Sequence, residues 1–144
     1  MQVKDVMHSQ VEVIGPDLSV YDAARMMRDI DTGFLPVGEG DRLIGTLTDR
    51  DITMRSTAEG KDPNQSKVRE AMSEKLVYCF EDDDLNEAAA LMGEAQIRRL
   101  PVLNRDKRLV GVLSLGDVSE HEQRLAGQAE KDVHQDSGQP RSIS

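Results

Sequence analysis

Two segments of this chain set a hydroxyl and a carboxylate three residues apart behind a glycine: Gly45-Thr-Leu-Thr48-Asp-Arg-Asp51 and Gly111-Val-Leu-Ser114-Leu-Gly-Asp117. In each, an apolar stretch gives way to a helical pattern at the hydroxyl, so the pair falls where a strand enters a helix. Such a corner exposes unpaired backbone N–H groups and the positive end of a helix dipole, which favour a phosphate. The Thr48 or Ser114 hydroxyl adds a donor. The Asp51 or Asp117 carboxylate, acceptor-only when ionised, suits the vicinal hydroxyls of a ribose. The glycine permits close approach of a ligand or of another backbone. The same spacing also describes a capping box, with Thr48 or Ser114 as N-cap and the aspartate bonding back. Duplication copies caps as readily as pockets, so these residues alone leave both readings open.

The elements that must position these corners are themselves duplicated. Val3-Lys-Asp-Val-Met7 recurs as Val68-Arg-Glu-Ala-Met72, a shift of 65; at that shift Ala23-Ala24 and Met27 meet Ala88-Ala89 and Met92, and Leu35-Pro36-Val37 meets Leu100-Pro101-Val102. One inserted residue makes the shift 66, and Leu43-Ile-Gly45 meets Leu109-Val-Gly111. An ordered series in constant register marks an internal repeat. Each copy opens with a short apolar strand, Val11–Ile14 or Leu76–Phe80, the first bounded by Gly15-Pro16. A helix follows, with Val20, Ala23, Ala24, Met27 and Ile30 at helical spacing in one copy and Leu85, Ala88, Ala89 and Met92 in the other. Ser19 with Asp22, and Asp84 with Glu87, are start signals for these helices. Two strands come next, around Phe34–Val37 and Leu43–Thr48 or Arg99–Leu103 and Leu109–Leu113. Gly38–Asp41 reads as a hairpin loop rather than a dinucleotide fingerprint, because it lacks the third glycine. A second helix starts near Asp49 or Leu115. The predicted class is α+β (mixed α/β), β-α-β-β-α twice: repeat one over 1–58, a polar linker over 59–67, repeat two over 68–126, and a polar tail over 127–144 expected to be disordered.

Composition narrows the function. Among 144 residues, 38% are hydrophobic but only 3% aromatic, so the core must be aliphatic. A net charge of −9 repels phosphate backbones and anionic lipid, which argues against nucleic-acid or membrane-surface partners. No apolar run approaches a membrane span and no signal-peptide pattern opens the chain, so a cytoplasmic location is expected. Cys79, the single cysteine, has no partner for a disulfide, and the acidic run Glu81–Asp84 disfavours its thiolate. His8, His121 and His134 are scattered without zinc-ligand spacing and read as solvated. No acid/base or nucleophile set is visible, so the chain is read as non-enzymatic.

Taken together, the Val-x-Asp-Val-Met opening, the alanine-paired helix, the Leu-Pro-Val strand and the Gly-x-x-[Ser/Thr]-x-x-Asp corner resemble the cystathionine-β-synthase (CBS) domain family. The resemblance covers about Val3–Arg55 and Val68–Glu122, and is to a stand-alone bacterial-type tandem pair, or Bateman module. It implies two repeats packed about a pseudo-twofold axis, a homodimer, and adenosine-containing ligands (AMP, ADP, ATP, S-adenosylmethionine, NAD, cyclic di-AMP) in two clefts between the repeats. It assigns Asp51 and Asp117 to ribose hydroxyls, and Thr48 and Ser114 to phosphate or nearby ribose. Pro36 and Pro101 would line the purine pockets, with Val112 as an apolar wall where the first copy has the more polar Thr46. Arg98-Arg99 resembles a basic pair aimed at phosphates; the first copy has Gly33-Phe34 there, and Arg50 is a further candidate. On this basis the Ser114/Asp117 site is expected to prefer the more phosphorylated or better-held ligand.

The implied function is a non-catalytic sensor with no tightly required cofactor, signalling to a separate effector protein. The rival is a structural interaction module whose two corners serve only as caps.

Overall fold

The computed structural model describes residues 1–137, with side chains through Gln128. Its elements follow the repeat. In the first copy come α1 (Val20–Ile30), β1 (Phe34–Glu39), β2 (Arg42–Thr48) and α2 (Asp49–Ile52), which runs on as a π-helical turn over Thr53–Thr57. In the second come α3 (Val68–Ala71), β3 (Cys79–Phe80), α4 (Leu85–Ala95), β4 (Arg99–Leu103), β5 (Leu109–Ser114) and α5 (Leu115–Ser137). A 3-10 turn at Val3–Asp5 is the first-copy counterpart of α3.

The two sheets are built alike. β1 pairs antiparallel with β2, Pro36 opposite Thr46; β4 pairs antiparallel with β5, Pro101 opposite Val112. Proline donates no N–H to a ladder, yet both lie fully buried within their strands, and the Pro36 carbonyl accepts from the Ile14 N–H. The leading strand forms in one copy only. β3 lies parallel to β4, whereas Val11–Ile14 is not a strand: only Ile14 bridges, to Val37. Val13 is exposed and the segment around it runs along a cleft, so it has little to bury by pairing further.

Ser19 caps α1 by accepting from the Asp22 N–H, as its spacing predicts. Asp84 caps α4 through the Asn86 N–H instead of forming a box with Glu87. Ile30, placed by periodicity on the buried stripe, is exposed at the last turn of α1. α5 runs through Ser137, with good helix formers in Ala129-Glu-Lys131 and no proline before Pro140. Positions 138–144 lie outside the described residues.

Each core closes with a segment from the other end of the duplication. One cluster joins Val20, Met27, Leu35 and Leu47 to Val68, Ala71 and Met72; the other joins Leu85, Met92, Leu100 and Leu113 to Val3. The hydrogen bonds repeat at the same shift of 65. The Val3 and Lys4 N–H groups donate to the Asp83 and Glu81 carbonyls, while Val68 and Arg69 donate to Leu18 and Pro16. The Leu85 N–H donates to Met1 and the Val20 N–H to Ser66. Each opening motif is thus a strap: sequence places it with the repeat that follows, and packing places Val3 with the second core and Val68 with the first.

Candidate functional site

The straps explain the corner glycines. His8 and Val112 exchange two backbone hydrogen bonds (3.0 and 2.9 Å), as do Ser73 and Thr46 (2.8 and 3.0 Å). A Cβ on Gly111 would stand 2.6 Å from the His8 carbonyl oxygen, and one on Gly45 would stand 2.7 Å from that of Ser73. Of the two close approaches the sequence allows at these glycines, the structure shows the backbone.

Beside the glycines, two clefts open between the repeats. The first, about 540 Å³, is lined by Thr46, Thr48 and Asp51 of the first repeat and by Arg98, Arg99 and Pro101 of the second. The second, about 1010 Å³, is lined by Val112, Ser114 and Asp117 of the second repeat, with Pro36 of the first and Arg99 reaching in. All ten residues singled out in the sequence therefore fall in the two clefts, and each cleft takes its hydroxyl–acid pair from one repeat and its proline from the other. Volumes of this order suit a nucleoside-sized ligand. The arginine pair does not single out the Ser114/Asp117 site: from the start of β4 both arginines line the first cleft beside Thr48 and Asp51, together with Arg50. Arg98, Arg99 and Ser114 also border a smaller depression at the start of α5.

At the first corner the capping box is closed: the Asp51 N–H donates to Thr48 Oγ1 at 3.0 Å, and the Thr48 N–H donates back to Asp51 Oδ2 at 2.9 Å. Arg55 Nη1 stands 3.8 Å from Asp51 Oδ1 and donates to the strap at the Ala71 and Met72 carbonyls and Ser73 Oγ. At the second corner only half the box forms. The Asp117 N–H donates to Ser114 Oγ at 3.0 Å, but the carboxylate turns to His8, whose Nε2 stands 3.2 Å from Oδ1 and 3.1 Å from Oδ2. Only the Oδ1 contact is a hydrogen bond, and Oδ2 is buried without a hydrogen-bond donor.

His8 is the site residue that sequence reasoning missed: its side chain is exposed, as a scattered histidine is expected to be, yet the strap folded onto β5 sets its Nε2 against Asp117. Ser73 and Lys75 enter the first cleft in the same way, from the second strap. The rims are set by Asp31 and Gln96, equivalent C-caps of α1 and α4 that adopt left-handed backbone at φ 56° and 55°. Such conformations are held only where the surroundings over-determine them. His121 is half-buried on α5, and the side chain of His134 lies outside the described residues. Cys79 is buried on β3, and that burial, reinforced by the Asp83 carboxylate, pushes its thiol up to about 12.

The family model for the CBS domain matches residues 3–57 and 68–123. CBS domain-containing protein YhcV of Bacillus subtilis (strain 168) is 43% identical over 117 residues, covering 81% of this chain and 82% of the relative. A crystal structure of Hypoxic Response Protein I with two coordinated zinc ions superposes with a TM-score of 0.75 at 36% identity, covering 84% of this chain and 98% of that one. The CBS-domain pair of protein MJ0100, solved in complex with 5′-methylthioadenosine and S-adenosyl-L-methionine, superposes with a TM-score of 0.74 at 25% identity, covering 90% and 98%. Among the described residues no helix is long and apolar enough to cross a membrane, and no group of three His, Cys, Asp or Glu side chains is placed to hold a metal ion.

Proposed function

Since this chain belongs to the CBS-domain family and carries two of its domains, we propose that it is a non-catalytic sensor binding adenosine-containing ligands in its two clefts. The observation that carries this reading is the Asp117 carboxylate: half-fixed by His8, facing a cleft, with a buried oxygen lacking a donor. Buried acceptors are seldom left unpaired, and a ribose diol supplies two donors to one carboxylate. Ser114 and Thr48 contribute hydroxyls for phosphate or ribose, Asp51 mirrors Asp117, and Pro36 and Pro101 supply purine walls with Val112 and Thr46. Arg98 and Arg99 supply charge for phosphates. The bound adenosyl ligands of the MJ0100 pair support the ligand class.

Ligand would stabilise one arrangement of repeats, or of subunits in a homodimer, because only differential affinity shifts a conformational equilibrium. The signal would then pass to a separate effector protein. The test is calorimetric titration and thermal shift with AMP, ADP, ATP, NAD and S-adenosylmethionine. Saturable binding weakened by Asp117→Ala is expected; no heat and no stabilisation across the panel would overturn the reading. Light scattering with and without ligand reads the homodimer.

A second reading, a structural interaction module without a ligand, draws on the closed Thr48–Asp51 box, which uses that carboxylate entirely within the chain. It predicts that both corner aspartates matter to stability and neither to any small molecule.

A further inference from the structure

The two clefts differ in charge as well as in size. The first is lined by Arg50, Lys75, Arg98 and Arg99 against Asp49 and Asp51. Asp51 is occupied by its own capping box, and an Asp49 oxygen accepts the Arg50 N–H. Among the described residues none of the four cationic side chains has an ion-pair or hydrogen-bond partner, although Asp17, Asp82 and Asp29 elsewhere each pair with an arginine. The second cleft has only Arg99 against Glu12, Asp31 and Asp117, with His8 resting on Asp117. The duplication does not carry these charges over: the position equivalent to Arg50 is Gly116, and that equivalent to Lys75 is Gln10.

In a chain of net charge −9 the general field opposes a polyphosphate. Four cations without ion-pair partners against two carboxylates leave one cleft net positive and reverse that locally, since charge-assisted contacts to phosphate are among the strong hydrogen bonds. The second cleft would repel a phosphate chain, admit neutral groups and attract cationic ones.

We infer, resting on the adenosyl reading above, that the clefts sort ligands by charge. The Thr48/Asp51 cleft takes an adenosine ligand bearing two or more phosphates; the Ser114/Asp117 cleft takes one without a phosphate chain, neutral or cationic. This reverses the expectation that ties the more phosphorylated ligand to Ser114 and Asp117. The protein is then a two-input device, able to hold both ligand classes at once.

Native mass spectrometry of the full chain with ATP and adenosine together tests this without any variant. One ATP plus one adenosine per chain is expected; two ATP per chain, or mutual exclusion, would overturn it. Calorimetry adds the residues. The double variant Lys75→Ala/Arg98→Ala should lower the ratio of ATP to adenosine affinity by about tenfold or more, and added salt should lower it further. Asp117→Asn should raise that ratio by about tenfold. Both changed residues of the double variant are exposed and unpaired, and a thermal melt checks that each variant folds. An unchanged ratio in both variants overturns the charge sorting while leaving the adenosyl reading intact. Wild-type protein that binds neither ligand overturns that reading, and this inference with it.

Discussion

The two corners of this molecule descend from one pattern and are bonded differently. At the first, Asp51 closes on the Thr48 N–H and leans on Arg55, whose guanidinium grips the strap. At the second, the position of Arg55 is taken by His121, and the side chain beside the aspartate, His8, comes from the strap itself. With Nε2 offered from the cleft side, the Asp117 carboxylate leaves its own backbone and one of its oxygens goes without a donor. The same motif therefore closes as a full capping box at one corner and as half of one at the other, where a side chain from outside the repeat meets the carboxylate.

The comparison can be broken first at the cores. Leu47 and Leu113 are equivalent and fully buried, so Leu47→Ala and Leu113→Ala should each cost about 2–5 kcal/mol by urea unfolding. If the repeats are equal partners the two losses match; a large disparity would mean that one repeat folds upon the other. Next come the straps. Gly45→Ala and Gly111→Ala push a Cβ onto the facing carbonyl oxygen, and each should cost about 1–3 kcal/mol as overpacking does. An Ala at either site with unchanged stability would show that the strap lifts freely.

The corners themselves should then diverge. Asp51→Ala removes a cap bond and should cost about 1 kcal/mol, while Asp117→Ala, whose carboxylate caps nothing, should stay within about 0.5 kcal/mol yet lose ligand response. Equal destabilisation with no ligand response in either would favour the interaction module. The smallest effect concerns Cys79. With its thiol pushed up to about 12 by burial, it should resist iodoacetamide at mildly alkaline pH in folded protein and react in urea. The unfolded thiol ionises first, so the stability this group contributes is complete below its unfolded pKa and is lost as pH rises from there towards 12.

Much of this was legible from residues alone. The register of the repeat, the four hairpin strands, both long repeat helices and all ten cleft residues follow from periodicity, turn chemistry and the resemblance those motifs carry. Misreadings cluster where tertiary contacts outweigh local pattern. Val11–Ile14 has strand-forming residues but a cleft beside it; Ile30 has helical spacing but lies exposed on the lining of the second cleft; Glu87 has the box spacing, yet Asp84 accepts from the Asn86 N–H instead. In each case the local signal is worth about 1 kcal/mol or less, and burial or an available partner decides.

Sequence by itself determined that one unit occurs twice, that each copy ends a strand in a glycine-led hydroxyl and acid, and that the core is aliphatic. These are properties of spacing and side-chain chemistry, and they survive any arrangement of the copies. Only the tertiary structure decided that the straps cross to the opposite cores, that Arg98 and Lys75 stand with Asp51, and that His8 meets Asp117. Such meetings join residues far apart in the chain, brought together by apolar burial that is indifferent to which polar groups it carries along.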